Sequence, residues 1–110
     1  MEPTEIVNLC PHAIHLIHED GRVDTIAPST IGPARADTEQ VADGDVNGFP
    51  IVKITYHQIG GLPPPRLGII YITSLLVAQR VRRPDVFSPG EIVRDDAGVI
   101  IGCKSLARHS

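Results

Sequence analysis

Apolar positions in this chain come in short runs, and nearly every run is closed by glycine, proline or an acidic turn. That spacing predicts strands rather than long amphipathic helices. Residues 5–9 are β-prone and end at Pro11. Residues 13–18 alternate, with Ile14 and Leu16 pointing one way and His15 and Ile17 the other, as in a half-buried strand. Glu19, Asp20 and Gly21 form a turn, after which residues 22–26 resume a strand. Together these pieces read as an N-terminal antiparallel meander. Residues 28–33 are a Ser/Thr/Gly/Pro loop.

Residues 34–41 are polar enough for an exposed strand or a short helix. Pro33 on one side and the turn chemistry of residues 43–48 on the other favour the strand. Residues 51–56 are mostly β-branched and give the clearest β run. Gly60, Gly61 and Pro63, Pro64, Pro65 then make a stiff, extended connector. Residues 67–73 add a strand, and at Ser74 the pattern changes. Ser74 is a good N-cap, residues 75–82 are good helix formers, and Pro84 stops the helix. The main helix is expected at about residues 74–83, with arginines in its last turn. Residues 92–94 and 99–106 flank Asp95, Asp96, Ala97 and Gly98, which predicts a C-terminal β-hairpin. The fold class expected is α+β: one antiparallel, β-rich domain over residues 1–110 with one main helix.

Composition narrows what such a domain does. With 110 residues there is room for one hydrophobic core, and 42% hydrophobic against 21% charged residues is a globular balance. A domain this short buries only about two thirds of its unfolded surface, so a homo-oligomer is expected. The net charge of −3 argues against binding a nucleic-acid polymer, which calls for a basic excess. No run reaches the roughly 20 apolar residues that cross a bilayer. The acidic start of the chain has no apolar run behind it, so no secretory signal is expected, and Cys10 and Cys103 read as reduced, buried thiols.

The residues offer little catalytic chemistry. His12, His15 and His18 lie three apart, a spacing that splits them across the two faces of a strand and away from one metal. No nucleophile elbow, phosphate-binding loop or dinucleotide fingerprint occurs. No cofactor is expected, and the chain reads as a non-enzyme. Arginine is the exception. Arg80, Arg82 and Arg83 cluster in an acidic protein, and Arg66 and Arg94 sit near the ends of expected elements. Guanidinium groups suit bidentate phosphate contacts. Arg94 is expected to project toward the loop that carries Asp85 and Phe87, which would bring an arginine, an aromatic face and a carboxylate together.

Four stretches carry a resemblance: residues 6–12 (IVNLCPH), 61–68 (GLPPPRLG), 70–78 (IYITSLLVA) and 93–103 (VRDDAGVIIGC). In this order, and over nearly the whole chain, the sequence resembles the first family of Thoeris anti-defence proteins, phage proteins that act as molecular sponges. The resemblance implies capture, without cleavage, of the cyclic ADP-ribose isomer made by bacterial TIR-domain enzymes, in the cytoplasm of the infected host. It also implies dimers that assemble further and, in some members, cyclic oligonucleotides held at separate sites. For such a ligand the residues expected on physical grounds are Arg94 and Arg83 for the diphosphate and Phe87 or Tyr71 for stacking on adenine. Asp95 and Asn8 are expected to hydrogen-bond ribose or base.

Overall fold

The computed structural model describes residues 4–110; the first three residues of the acidic start lie outside them. The chain is mostly β, with one short helix. Its elements are β1 (Glu5–Asn8), β2 (Ile14–Ile17), β3 (Val23–Ile26), β4 (Arg35–Val46), β5 (Phe49–Gly60), β6 (Ile69–Ile72), α1 (Leu75–Val81), β7 (Val86–Pro89), β8 (Ile92–Arg94), β9 (Ile100–Cys103) and β10 (Leu106–Arg108).

Two four-stranded sheets make the body. The first runs β1-β6-β7-β10 and the second β3-β2-β9-β8. Alternation along the first sheet feeds a core on each of its faces. Val7, Tyr71 and Val86 point to one side, where they meet Val77 and Ala78 of α1 together with Leu9, Ala34 and Ile59. Ile6 and Ile72 point to the other, where they meet Cys10, Ile14, Leu16 and Cys103 of the second sheet and its approaches. The first sheet is therefore covered on both faces, and that explains its pairing. β1 lies parallel to β6, and β6 parallel to β7 across α1. Parallel strands occur where both faces are buried, and they require a crossover of about a dozen residues, which the α1 segment supplies.

This arrangement corrects the expected N-terminal meander and the antiparallel reading of the class. Only β2 and β3 form an N-terminal hairpin. β1 leaves them because Ile6 and Val7 both need cover, on opposite faces. β2 is also parallel to β9, through Leu16 and Cys103. The C-terminal hairpin is present as β8 against β9, but the run expected to continue to residue 106 breaks after Cys103. There Lys104 N–H bonds the Glu91 carbonyl and Gly90 N–H bonds the Ser105 carbonyl, and the chain crosses to pair β10 with β7 in the other sheet.

The helix is shorter than its expected 74–83 span. Ser74 caps it, its hydroxyl accepting from Val77 N–H at 3.4 Å, and Arg82 ends it in a left-handed conformation. Arg83 thus stands outside the helix, and Arg80 is the basic residue of the last turn. No helix among the described residues is long and apolar enough to cross a membrane.

The outlier is the third sheet, a single ribbon of β4 and β5, each 12 residues long. The two strands are joined through Asn47 and Gly48, both with positive φ (50° and 86°), with Val46 opposite Phe49. That is a two-residue Asn-Gly turn of the type that matches strand twist. The foot of the ribbon packs on the core through Ala36 and Ile59, and Tyr56 meets Arg80 of α1. The remainder projects. The radius of gyration is 17.0 Å, against about 13 Å for a compact chain of this length.

Candidate functional site

The six residues singled out in the sequence fall in three separate places. Asn8 is buried at the end of β1. Its amide nitrogen donates to the carbonyls of His12 (2.9 Å) and Ile26 (3.0 Å), and its side-chain oxygen accepts from Cys10 N–H at 2.9 Å. All three bonds fix the loop between β1 and β2 against β3.

Tyr71 and Arg83 form a second group. Tyr71 is buried in β6, and its hydroxyl donates to the Pro64 carbonyl at 3.4 Å. Arg83 holds Asp85 in a fork, Nε to Oδ1 at 3.0 Å and Nη2 to Oδ2 at 2.7 Å. Its remaining Nη1 donates to the Pro63 carbonyl at 3.0 Å, and its guanidinium lies 6.0 Å from the Tyr71 ring centroid. The Asp85 carboxyl is held below the usual carboxylate range, chiefly by the hydrogen bonds from Arg83; desolvation opposes them, and the Arg83 charge adds a lesser pull downward. This cluster clamps the triple-proline connector to the body. Phe87, one strand step beyond, carries the Arg108 guanidinium over its ring at 5.0 Å.

Arg94 and Asp95 form the third group, at the β8–β9 turn. Asp95 Oδ1 accepts from Ala97 N–H and Val99 N–H, both at 2.9 Å, and Arg94 Nη1 donates to the Gly98 carbonyl at 3.0 Å. Arg94 therefore folds over its own turn instead of reaching toward Asp85 and Phe87, because a turn carbonyl lies within its reach and Asp85 is already engaged by Arg83.

The histidines likewise take separate partners. His12 Nδ1 lies 3.2 Å from the Ala13 carbonyl, His15 pairs with Thr25 Oγ1 at 2.9 Å, and His18 pairs with Asp24 at 2.7 Å. Asp24 is lowered, chiefly by that hydrogen bond from His18. Cys10 and Cys103 are free and buried, and burial pushes both thiols up, away from the reactive thiolate.

The described residues include three concavities. One, of about 650 Å³, lies between the end of β2 and the β9–β10 crossover; its charged lining is Glu19, Glu91 and Lys104 beside His18. A second, of about 350 Å³, is an apolar trough of Ile14, Ile92, Ile100 and Ile101 with His12 and His15 at its rim. The third, of about 480 Å³, lies between α1 and the foot of the β4–β5 ribbon. Pro11, Pro33, Leu76 and Val77 give it apolar walls, and Arg35, Asp37, Thr38 and Ser74 give it polar groups. On the ribbon beside it, Arg80 of α1 lies 4.8 Å over the ring of Tyr56, which pairs with Thr38 across the strands.

Among these three, the α1–ribbon cleft is the one lined by a guanidinium, that of Arg35. Its size falls within the usual range for small-ligand sites, roughly 300–1,000 Å³. None of the six residues singled out in the sequence lines any of the three concavities. Arg35 and Thr38 received no role from the sequence, because residues 34–41 read only as a polar strand. Nothing local signals that this strand folds back across the helix. Compared with known proteins, the chain matches no family model, no curated protein and no solved structure.

Proposed function

We propose that this protein is a binding protein that captures a phosphorylated nucleotide signal of the cyclic ADP-ribose type and holds it without cleaving it. In a phage-infected cell that activity blocks Thoeris immunity. The family resemblance over four stretches supplies the ligand class. The observation that carries the reading is the cleft between α1 and the β4–β5 ribbon, an apolar-walled concavity with one arginine at its edge.

In this reading Arg35 meets the diphosphate with charge-assisted hydrogen bonds. Leu76, Val77 and the prolines cover the apolar face of the base, while Asp37 and Thr38 accept and donate to ribose hydroxyls. Nanomolar retention corresponds to about −12 kcal/mol, and sequestration asks for nothing beyond that binding. A catalyst needs groups matched to a transition state. The two thiols are buried and held protonated, and the histidines sit apart from one another, so the residues on hand favour holding over turnover.

Titration of the protein with cyclic ADP-ribose and its glycocyclic isomers, in parallel for the wild type, Arg35→Ala and Arg94→Ala, tests the placement. The expected result is a loss of at least tenfold in affinity for Arg35→Ala and no change for Arg94→Ala. The reverse pattern moves the site to the β8–β9 turn.

A second reading, a small phage interaction protein that binds another protein along a sheet edge, draws on one observation: the long β5 edge is open to solvent. An interaction protein of that kind gives no heat with any of these nucleotides.

A further inference from the structure

The connector between β5 and β6 belongs to no strand and lines none of the three concavities. Its shape is set by covalent chemistry. Pro63, Pro64 and Pro65 have φ fixed at about −65°, and Leu62, Pro63 and Pro64 each precede a proline, which keeps them out of the α region. The segment therefore follows a polyproline II path. Ile69 N–H then bonds the Arg66 carbonyl at 3.2 Å, with Gly68 at φ +81°. That is a type II turn, whose extended second position, held by Leu67, continues the same path.

A polyproline II helix repeats about every three residues, so its side chains fall on three edges. The edge that begins at Leu62 starts on the body, where Leu62 packs against the core beneath α1. The body also holds the backbone. Arg83 Nη1 donates to the Pro63 carbonyl at 3.0 Å, and the Tyr71 hydroxyl donates to the Pro64 carbonyl at 3.4 Å. The remaining edges carry Pro64 with Leu67, and Pro63 with Arg66. Pro64, Arg66 and Leu67 are exposed, Leu67 over its whole surface. An exposed leucine alone means little. Here it shares an edge with an exposed proline on a segment of fixed shape. Arg66 beside it enters none of the three ion pairs among the described residues.

We propose that residues 63–67 are a docking segment, read by a partner protein whose groove is lined with aromatic side chains and flanked by carboxylates. Aromatic slots take Pro64 and Leu67, as in the general recognition of proline-rich segments. The carboxylates take the guanidinium of Arg66, which fixes the direction in which the segment lies. A flexible ligand gives up backbone freedom when it docks, whereas this one has already given it up on folding. A second copy of the chain does not supply such a groove. Tyr71 is buried, Phe87 lies under Arg108 and Tyr56 under Arg80. Phe49, the last of the four aromatic residues, is on the opposite face of β5 from Tyr56.

The test titrates the intact chain into a purified SH3 domain and a purified WW domain, each with a tryptophan in its groove, and reads tryptophan emission. The chain has no tryptophan of its own, so the signal reports the groove. The wild type is expected to shift the emission saturably with at least one of the two domains. Affinity is expected to fall at least about fivefold for Pro64→Ala and for Leu67→Ala, and binding is expected to be lost for Arg66→Glu. Lys53→Glu on the ribbon makes the same change of charge elsewhere and is expected to bind as the wild type does. Circular dichroism with thermal unfolding checks that each variant keeps its fold, and Leu67→Ala, at a fully exposed position, carries the test if Pro64→Ala unfolds. No shift with either domain overturns the proposal. So does binding that survives both alanine variants, or that falls as far with Lys53→Glu as with Arg66→Glu. Nucleotide capture is read separately, and neither result depends on the other.

Discussion

Arg83 and Asp85 grip one another through two hydrogen bonds, at 3.0 and 2.7 Å, and the guanidinium's last reach is to the carbonyl of Pro63. A residue chosen from the sequence as a phosphate contact is thus occupied with holding a loop. Both side chains are largely buried, with 23% and 17% of their surface exposed. Removing one partner leaves the other charged and underhydrated, which in a partly buried pair costs on the order of 2 kcal/mol. Asp85→Asn is therefore expected to unfold at lower denaturant concentration than the wild type by about that amount, as urea titration measures.

The same pair sets an acid limb. The Asp85 carboxyl is depressed in the folded chain, so it stabilises the fold above its unfolded value of roughly 3.9. That stabilisation is lost as pH falls through the folded value. Urea titrations from pH 7 down to pH 2 are expected to show the wild type losing stability below about pH 4 more steeply than Asp85→Asn. Parallel curves would assign the acid limb to other carboxylates.

Asn8 makes a comparable claim at the other end of the first sheet. Its side chain satisfies two carbonyls and one N–H in a buried loop. Asn8→Ala leaves all three without partners and is expected to cost about 3 kcal/mol. Hydrogen exchange at Cys10 N–H is expected to rise in this variant before exchange in the β4–β5 ribbon changes.

Gly61 closes the foot of the ribbon. Its φ is +76°, and a Cβ there would lie 2.6 Å from the Pro33 carbonyl oxygen. Gly61→Ala is expected to destabilise the fold by about 1–3 kcal/mol through strain and this contact together. The α1–ribbon cleft borders the same foot through Pro33, so nucleotide affinity is expected to fall in this variant as well.

Most of the strands, the helix start and the C-terminal hairpin were legible because each depends on neighbours in sequence, whereas β7, β10 and the far end of β4, read as a turn, were not. Ser74 caps its own helix, and Asp95 receives the backbone of its own turn. Strand partners were not legible. β1 finds β6 across some 60 residues, and the preference shows only in apolar groups on both faces of a four-residue strand. The break after Cys103 was hidden for the same reason, since Lys104 and Ser105 bond to Glu91 and Gly90 on another strand. Site reasoning ran into a related limit. Arginine, aromatic and carboxylate groups are what a nucleotide needs and also what a fold uses to pin loops, and the sequence does not separate the two uses. Here Arg83, Tyr71, Asp95 and Asn8 are all spoken for within the chain, while Arg35, read as part of a polar strand, borders a cleft.

The claim that the ligand is held and not consumed is tested most directly by capture and release. The protein is mixed with a glycocyclic ADP-ribose isomer and separated by filtration. The retained fraction is then heated to denature the protein, and the released small molecules are identified by mass spectrometry. The account predicts depletion of the free signal and recovery of the same isomer, intact, in amounts matching the protein. A cleaved product, or a signal that never leaves solution, would contradict it.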